Sequence, residues 1–423
     1  MIDRRRFLGV AGTALAIGSR PASASIRGAN DRLRLGIIGT GSRGTELSQT
    51  FGNQENVEIA YVCDVDRKRV DRAADLVSKL DHGTPKSVID FRRILEDKTV
   101  DAVVIATCDH WHAPAAILAC SAEKHVYVEK PCSHNAQEGE WLVEAAQKHK
   151  RVVQLGTQRR SWPRLIEAVE SIHQGAIGRA YYASCRYRNT RKSIGKGKVV
   201  PVPEGLDFDL WQGPAPRQEF RDNILHYTWH WFWNWGTGEL GNNGIHFLDV
   251  CRWALQVDFP TKVASTGGRF AFKDDQETPD TQVVSYEFEG GKAAAFESLS
   301  CNGYQVGGPS EEIVIQGESG SISISGGGYT LFDLKGKKVK TVTGSGGDKD
   351  HVADFLASIR EGRRPHAEIL EGHKSTTLCH LGNISQRVGR TLHCDPKNGR
   401  ILDDGDAAKL WGRTYEKGWE PKV

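Results

Sequence analysis

The first half of the chain alternates short, continuously apolar runs with longer segments of amphipathic helical pattern. The apolar runs occupy residues 33–38, 57–64, 101–107, 125–131 and 151–158. Apolar strands joined by amphipathic helices predict a parallel sheet that is covered by helices on both faces. Such a sheet binds ligands at the carboxyl ends of its strands. We therefore predict a doubly wound α/β domain over residues 31–158.

The pattern changes near residue 160 to short strands with period-two alternation. Gly-Gly, Glu-Gly and Lys-Gly turn signals separate these strands, which is typical of antiparallel pairing. Two late segments, 351–365 and 374–390, have the pattern of helices. Residues 159–423 are therefore predicted to form a second α/β domain, with its helices towards the carboxyl terminus.

A glycine-rich turn follows the first predicted strand, with the sequence Gly-Thr-Gly-Ser-Arg-Gly at 39–44. In a strand–turn–helix context, Gly39 permits the tight turn, Gly41 lets the backbone approach a pyrophosphate, and Gly44 lets the helix pack closely. The free N–H groups at the start of the helix would hold the anion. This motif predicts a dinucleotide site.

The expected cofactor is NAD, because Asp64 ends the second strand 20 residues beyond Gly44. A carboxylate at this position accepts hydrogen bonds from the adenosine ribose and repels a 2′-phosphate. Arg43 and Arg67 lie nearby in sequence and leave NADP open. Polar residues at the ends of the later strands extend the prediction. The predicted cofactor-binding residues are Gly39, Thr40, Gly41, Ser42, Arg43, Gly44, Asp64, Thr107, His110, His112, Glu129, Lys130 and Gln158.

Five short segments, in this order and spacing, resemble the glucose–fructose oxidoreductase, inositol dehydrogenase and rhizopine-catabolism (Gfo/Idh/MocA) family. They read GTGSRG, CDVD, DHWHAPAA, VEKP and GNNGIHFLD. The resemblance covers roughly residues 31–420. It implies a Rossmann domain followed by an α/β domain built on a large open, mostly antiparallel sheet. It also implies a homo-oligomer, either a dimer or a tetramer.

The resemblance also implies a set of catalytic residues. The family's lysine corresponds to Lys130, its histidine to His246, and its aspartate position holds Asn242. Lys130 would hydrogen-bond the reacting oxygen, and His246 would act as general base when a hydroxyl is oxidised. If the segment is helical, Asn242 and His246 share a face at i, i+4. Asn242 can orient the imidazole but cannot stabilise its charge.

An unusual run of aromatic residues, YTWHWFWNW, precedes this segment, at 227–235. Indole faces stack on the C–H faces of sugar rings, while polar neighbours bind the hydroxyls. The alternative is that the alternate tryptophans pack the two domains together, and we expect about half of them in each role. The predicted substrate residues are Trp211, Tyr227, His230, Trp231, Trp233 and Arg159.

The net positive charge of the chain comes from its amino terminus. The formal net charge of the 423 residues is +3, and the first 24 residues contribute four basic residues and one acidic residue. The remainder is neutral (56 − 4 = 52 basic, 53 − 1 = 52 acidic), which does not favour a nucleic-acid partner. Arg4-Arg5-Arg6, an apolar run to Ile17 and Ala22-Ser23-Ala24 predict a twin-arginine signal. We expect recognition by the twin-arginine export machinery, cleavage after Ala24, a periplasmic location and no stable membrane insertion.

The nine cysteines form neither a C-x-x-C pair nor a cluster with metal-ligand spacing, so no metal site is predicted. The predicted function is an NAD(P)-dependent oxidoreductase that acts on a secondary hydroxyl of a sugar, polyol or glycoside. Its cofactor would be tightly bound and recycled internally. One alternative is an NAD-dependent enzyme that cleaves glycosides through transient oxidation at C3, elimination and re-reduction. A third hypothesis is a dinucleotide-bound sensor without turnover.

Overall fold

A computed structural model describes residues 32–80, 83–304 and 311–423 of the chain. The predicted export signal at residues 1–24 lies outside the described residues.

The amino-terminal part forms a six-stranded parallel sheet with the strand order β3-β2-β1-β4-β5-β6. The order reverses between β1 and β4, which is the point where a doubly wound sheet opens a crevice for ligands. Its strands are β1 (Leu33–Ile38), β2 (Val57–Cys63), β3 (Lys86–Val88), β4 (Ala102–Ile105), β5 (His125–Val128) and β6 (Val153–Leu155). The predicted parallel sheet is confirmed, and β3 is added to it as an edge strand of only three residues.

Five helices connect these strands and bury their apolar faces against the sheet. The helices are α1 (Ser42–Gly52), α2 (Arg67–Ser78), α3 (Arg92–Glu96), α4 (Asp109–Ser121) and α5 (Ala136–Lys148). Asp66 caps α2 through its carboxylate, and Asn135 caps α5 through its amide oxygen. These capping side chains satisfy backbone N–H groups that have no partner within the helix.

The carboxyl-terminal part forms a ten-stranded sheet with the order β14-β13-β12-β11-β7-β10-β9-β8-β15-β16. Strands β7 and β10 pair in parallel, and the other neighbours pair antiparallel, so the sheet is mostly antiparallel as predicted. Its strands are β7 (Ala180–Arg188), β8 (Lys262–Gly268), β9 (Thr281–Phe288), β10 (Lys292–Leu299), β11 (Glu311–Gly317), β12 (Gly320–Ser325), β13 (Gly328–Asp333), β14 (Lys338–Val342), β15 (Leu392–Cys394) and β16 (Ile401–Leu402).

Helices cover one face of this sheet. The helices of this part are α6 (Pro163–His173), α7 (Phe208–Gln212), α8 (Ile245–Leu255), α9 (Lys349–Glu361), α10 (Ile369–Val388) and α11 (Gly405–Ala408). Buried and exposed positions alternate along β9, as expected for a strand with one covered face. Phe247 of α8 and Leu381 of α10 share a buried core with Tyr286 and Phe296 of the sheet.

Helix α9 belongs to the core of the first sheet, although it follows the second sheet in sequence. Its Val352 and Phe355 are fully buried in a cluster with Phe51 and Tyr127. The chain therefore returns to the first sheet after it has formed most of the second. Among the described residues, no helix is both long enough and apolar enough to span a bilayer.

Candidate active site

A cavity of about 500 Å³ opens at the carboxyl ends of β1, β2, β4 and β5. We call it the first cavity. Segments of the carboxyl-terminal part close its other side. The predicted site residues that line it are Gly39, Gly41, Ser42, Arg43, Asp64, Thr107, His112, Glu129, Lys130, Trp211, Tyr227, His230 and Asn242.

The glycine turn has the geometry that a bound dinucleotide needs. Gly39 has a φ of +85°, which disfavours any other residue there. A Cβ atom on Gly44 would lie 1.8 Å from the carbonyl oxygen of Gly39, so only glycine lets α1 start this close to β1. Gly41 precedes the first residue of α1 and lines the first cavity. The backbone N–H groups at the start of α1 can therefore approach a phosphate.

Asp64 is fixed beside this turn by backbone hydrogen bonds. Its carboxylate accepts hydrogen bonds from the backbone N–H groups of Thr40, at 2.8 Å, and Asp66, at 3.0 Å. An ionised carboxylate has further acceptor capacity for ribose hydroxyls. Thr40 is buried and holds Asp64, so it contributes to the site without lining the first cavity.

Two arginines beside Asp64 were not among the predicted residues. Arg69 and Arg72 of α2 both line the first cavity, and Arg72 also donates to the carbonyl oxygen of Thr40 at 3.4 Å. Arg67, which was considered instead, does not line it. The spacing of Arg69 and Arg72 could have identified them, because residues three positions apart lie on the same face of a helix. Both side chains can therefore point towards the strand ends.

Lys130 lies at the end of β5 and crosses to the second part of the chain. Its Nζ donates to the backbone oxygen of Asn242 at 2.8 Å and to the Asn242 side-chain oxygen at 3.1 Å. Burial lowers the pKa of Lys130, while the charges of Glu129 and Asp109 raise it. Both carboxylates line the first cavity, and that of Glu129 also pairs with Arg43 at 2.7 Å. The amine of Lys130 therefore lies at the first cavity with a pKa below that of an ordinary lysine.

Tyr227 extends this polar group on the substrate side. The amide nitrogen of Asn242 lies 3.5 Å from the phenol oxygen of Tyr227, and Arg191 donates to the same oxygen at 3.0 Å. Arg191 is itself held by the buried carboxylate of Glu239 at 2.6 Å. An amine, an amide and a phenol therefore converge on one end of the first cavity.

The arrangement expected around His246 is different in the structure. Residues Leu240–Gly244 form a π-helical turn before α8, so the i, i+4 face assumed for Asn242 and His246 is not maintained. Asn242 binds Lys130 and Tyr227, and no hydrogen bond among the described residues joins it to His246. His246 does not line the first cavity, its Nδ1 is buried without a partner, and burial together with the nearby Lys130 places its pKa well below the usual value. The expected orienting role of Asn242 is wrong.

The side chains of the tryptophan run lie in several different surroundings. Residues Thr228–Trp231 form a 3-10 helix, so alternate positions do not share one face as they would in a strand. Trp229 lines the first cavity, although it was not predicted to do so. Trp231 is buried and packs on Arg191, Trp233 contacts Arg387, and Trp235 is fully buried in the core. The prediction that Trp231 and Trp233 line the substrate pocket is wrong.

Residues that follow β6 lie away from the first cavity. The strand order places β6 at the edge of the sheet, whereas the crevice opens at β1 and β4. Gln158 and Arg159 therefore do not line the first cavity, and Arg159 stacks on Phe247 with its guanidinium 4.4 Å from the ring centre. His110 does not line the first cavity either. Its ring nitrogens contact the carbonyl oxygens of Trp211 and Trp235, so it links the amino-terminal part of the chain to the carboxyl-terminal part.

Two of the buried histidines should make stability depend on pH. Burial lowers the pKa of His110 to about 3 and that of His351 to about 4. Unfolded histidine has a pKa of about 6.5, so between about pH 6.5 and 4 the unfolded state binds more protons than the folded state. The free energy of unfolding should therefore fall as the pH is lowered, by up to about 1.4 kcal/mol per pH unit for each group. Urea midpoints at pH 7 and pH 5 measure this effect, and equal midpoints would contradict it.

Within residues 32–80, 83–304 and 311–423, no three His, Cys, Asp or Glu side chains are grouped so as to hold a metal ion.

Two family profiles match the chain. The profile of the Gfo/Idh/MocA oxidoreductase family's NAD-binding Rossmann fold matches residues 33–157, and that of the family's carboxyl-terminal α/β domain matches residues 191–421. Together the matches cover the first sheet and all strands of the second sheet except β7.

Curated relatives and solved structures are similar to this chain. A glycosyl hydrolase family 109 protein of Saccharopolyspora erythraea is 33% identical over 51% of the chain and 52% of its own length. Inositol 2-dehydrogenase of Salmonella typhimurium is 31% identical over 37% of the chain and 46% of its own length. The chain thus spans about half the length of the curated relatives it matches. A levoglucosan dehydrogenase solved with NADH and levoglucosan shares the fold, with a TM-score of 0.67, 19% identity and coverage of 86% of this chain and 99% of that one.

Proposed function

We propose, from the premise that this chain belongs to the Gfo/Idh/MocA oxidoreductase family, that it oxidises a secondary hydroxyl of a sugar, polyol or glycoside with NAD, or reduces the corresponding ketone with NADH. The observation that carries the proposal is the Lys130–Asn242 contact, which places an amine of lowered pKa in the first cavity. The names of the relatives, inositol and levoglucosan dehydrogenases among them, support the substrate class.

The residues of the first cavity fit the cofactor. The glycine turn leaves a cradle that a Cβ atom would fill, and Asp64 stands at the ribose end. The walls include the apolar residues Ile38, Phe91 and Trp211, which can cover ring faces. Bound NAD would supply the acceptor for the hydride of the carbinol carbon.

The chain's own residues would manage the hydroxyl proton. Because burial lowers its pKa, Lys130 loses its proton more readily than an exposed lysine, and the neutral amine can accept the proton of the substrate hydroxyl at Nζ. Tyr227 and Asn242 would hold neighbouring hydroxyls by hydrogen bonds, and Trp229 would cover an apolar sugar face. In the reverse direction, protonated Lys130 returns the proton to the oxygen.

An isotope-transfer experiment tests the proposed reaction. Sugars and polyols carrying deuterium on the carbinol carbon are incubated with the enzyme and NAD, and the nicotinamide is analysed by mass spectrometry. We expect deuterium on the reduced cofactor or, if the cofactor stays bound and is recycled, on the product that the cofactor then reduces. No transfer from any member of a panel that includes inositol and levoglucosan, with NAD bound, would reject the proposal in favour of a sensor.

Replacing Asn242 by aspartate should change the pH dependence of the reaction. The substitution Asn242→Asp puts a negative charge about 3.1 Å from Nζ of Lys130, which favours the protonated amine. A neighbouring opposite charge typically moves a pKa by about 1 to 3 units, so the rise of kcat/KM for alcohol oxidation should shift to higher pH. Asn398→Asp adds the same charge at an exposed turn and should leave the profile unchanged. An unshifted profile in the first variant would mean that Lys130 is not the titrating group.

The second candidate function is redox-assisted cleavage of glycosides. The glycosyl hydrolase family 109 names of several relatives favour it. A panel of p-nitrophenyl glycosides, given to the enzyme with bound cofactor, separates the two functions. Release of p-nitrophenol without net formation of NADH supports cleavage, and NADH formation without release supports the dehydrogenase.

We also propose that the chain is exported by the twin-arginine route and acts in the periplasm as a homo-oligomer. The motif at residues 4–8 and the small residues at 22–24 support the export proposal. Changing Arg4, Arg5 and Arg6 to lysine should retain the chain in the cytoplasm in a fractionation assay. Periplasmic accumulation of that variant would contradict the route.

A further inference from the structure

A different part of the tryptophan run borders a second cavity of about 540 Å³. We call it the second cavity. It lies between the start of α5, one face of α10 and the segment that follows α11. Its lining residues, none of which lines the first cavity, include Trp233, Asn234, Arg387, Lys409, Leu410 and Arg413.

The charge of this lining has one sign. Three cationic side chains line it, Arg387, Lys409 and Arg413, and no aspartate or glutamate is among the described residues that do so. The start of α5 adds the partial positive charge of a helix amino terminus, because His134 and Asn135 also line the cavity. Lys409 has a counter-ion in Asp406, and the two arginines are the informative residues.

Arg387 is held by stacking alone. Its guanidinium lies 5.0 Å from the ring centre of Trp233, and it makes no hydrogen bond and no ion pair within the described ranges. Partial burial lowers its pKa, and the opposing charge is that of Glu277. The carboxylate of Glu277 accepts the backbone N–H of Trp233 at 2.7 Å. The donors of Arg387 are thus oriented without being satisfied by protein.

Arg413 also lines the second cavity. It donates to the backbone oxygens of Asn234, at 3.0 Å, and Thr414, at 3.4 Å, and lies 3.1 Å from Nδ1 of His134. A guanidinium has five N–H donors, so two remain. The charge of Glu138 opposes the lowering of the Arg413 pKa by burial. The carboxylate of Glu138 accepts hydrogen bonds from Tyr415 and from the backbone of His134, and it forms no ion pair with Arg413 within the described residues.

We propose that the second cavity binds the carboxylate or phosphate group of a small organic anion between Arg387 and Arg413. Partly buried cations without carboxylate partners are costly, and an oxyanion would satisfy both guanidinium groups through charge-assisted hydrogen bonds. The ring of Trp233 and the side chains of Ile384 and Leu410 supply apolar surface for the carbon part of the ligand. The proposal is independent of the reaction assigned to the first cavity.

Calorimetric titration of the full protein, saturated with NADH, tests the site. The probes are D-glucuronate, which carries a carboxylate, glucose 6-phosphate, which carries a phosphate, and glucose, which carries no charge. The variant is Arg387→Gln, which loses the stacking on Trp233 but breaks no hydrogen bond or ion pair among the described residues. The control is Arg390→Gln, because Arg390 pairs with Asp404 outside the second cavity.

We expect at least one of the two anions to bind the wild-type protein with an affinity that falls as salt is added, whereas any binding of glucose should be the same in the wild type and in Arg387→Gln. Arg387→Gln should weaken that binding at least about tenfold, and Arg390→Gln should not change it. Binding of only one anion identifies whether carboxylate or phosphate is the natural group. The proposal is overturned if neither anion binds, or if Arg387→Gln binds both as tightly as the wild type.

Discussion

Lys130→Met should reduce turnover about 10²- to 10⁴-fold while leaving NAD binding nearly intact. Methionine keeps the length of the side chain but removes the group that would hold the hydroxyl proton, and positioned acid–base groups contribute rate factors of this size. The cofactor still has the glycine turn and Asp64, whereas the hydrogen bonds of the lysine amine go to Asn242. Single-turnover rates and NADH titration, measured on the same preparation, separate the two effects.

The matched control uses the other end of the same strand. Lys124 is also buried, and it directly precedes β5 at the amino ends of the strands, away from the first cavity. Its Nζ donates to the carbonyl oxygen of Asp97 at 2.8 Å. Lys124→Met should reduce stability and leave the turnover of the folded enzyme unchanged. Full activity in Lys130→Met, or an equal loss of turnover in both variants, would contradict the assignment.

Asp249→Ala should lower the free energy of unfolding by about 3 to 5 kcal/mol. Asp249 is 1% exposed, and its carboxylate accepts paired hydrogen bonds from Arg160 at 2.8 to 3.0 Å and a third from Ser375 at 2.6 Å. Removing it leaves the guanidinium of Arg160 buried without a counter-ion between α8 and α10, which is far more costly than losing an exposed pair. Urea denaturation measures the change.

A surface ion pair provides the comparison. Arg179 and Glu318 are joined at 3.0 Å, but about half of each side chain is exposed. Glu318→Ala should therefore change the free energy of unfolding by less than about 1 kcal/mol. Equal effects of the two substitutions would contradict the view that Asp249 holds the structure through a buried charge.

The sheets were predictable because their signals are local. Continuous apolar runs predicted β1, β2, β4, β5 and β6, and period-two alternation predicted antiparallel strands in the second sheet. The short exposed strand β3 has no apolar run and therefore gave no signal. Lys130 and Asn242 are 112 residues apart, and only the resemblance to a family linked them before the structure brought them to 2.8 Å.

Several site residues were predicted wrongly because spacing along the sequence does not fix which side chains meet in the fold. Gln158 ends a strand, but strand order, which is a property of the whole sheet, places β6 at the edge. The alternation of Trp229, Trp231 and Trp233 has the period of a strand, yet the run folds as a 3-10 helix and a turn. The π-helical turn before His246 requires tertiary contacts that no residue pattern announces.

The central claim is that NAD binds against the glycine turn, within reach of Lys130. Calorimetric titration of NADH into the cofactor-free wild-type protein and into Gly44→Ala tests it most directly, because the added Cβ atom meets the carbonyl oxygen of Gly39 at 1.8 Å. Circular dichroism verifies that the variant is folded. We predict one NADH per chain in the wild type and a loss of affinity of at least about tenfold in the folded variant. No binding to the wild type, or equal affinity in the folded variant, would contradict the claim.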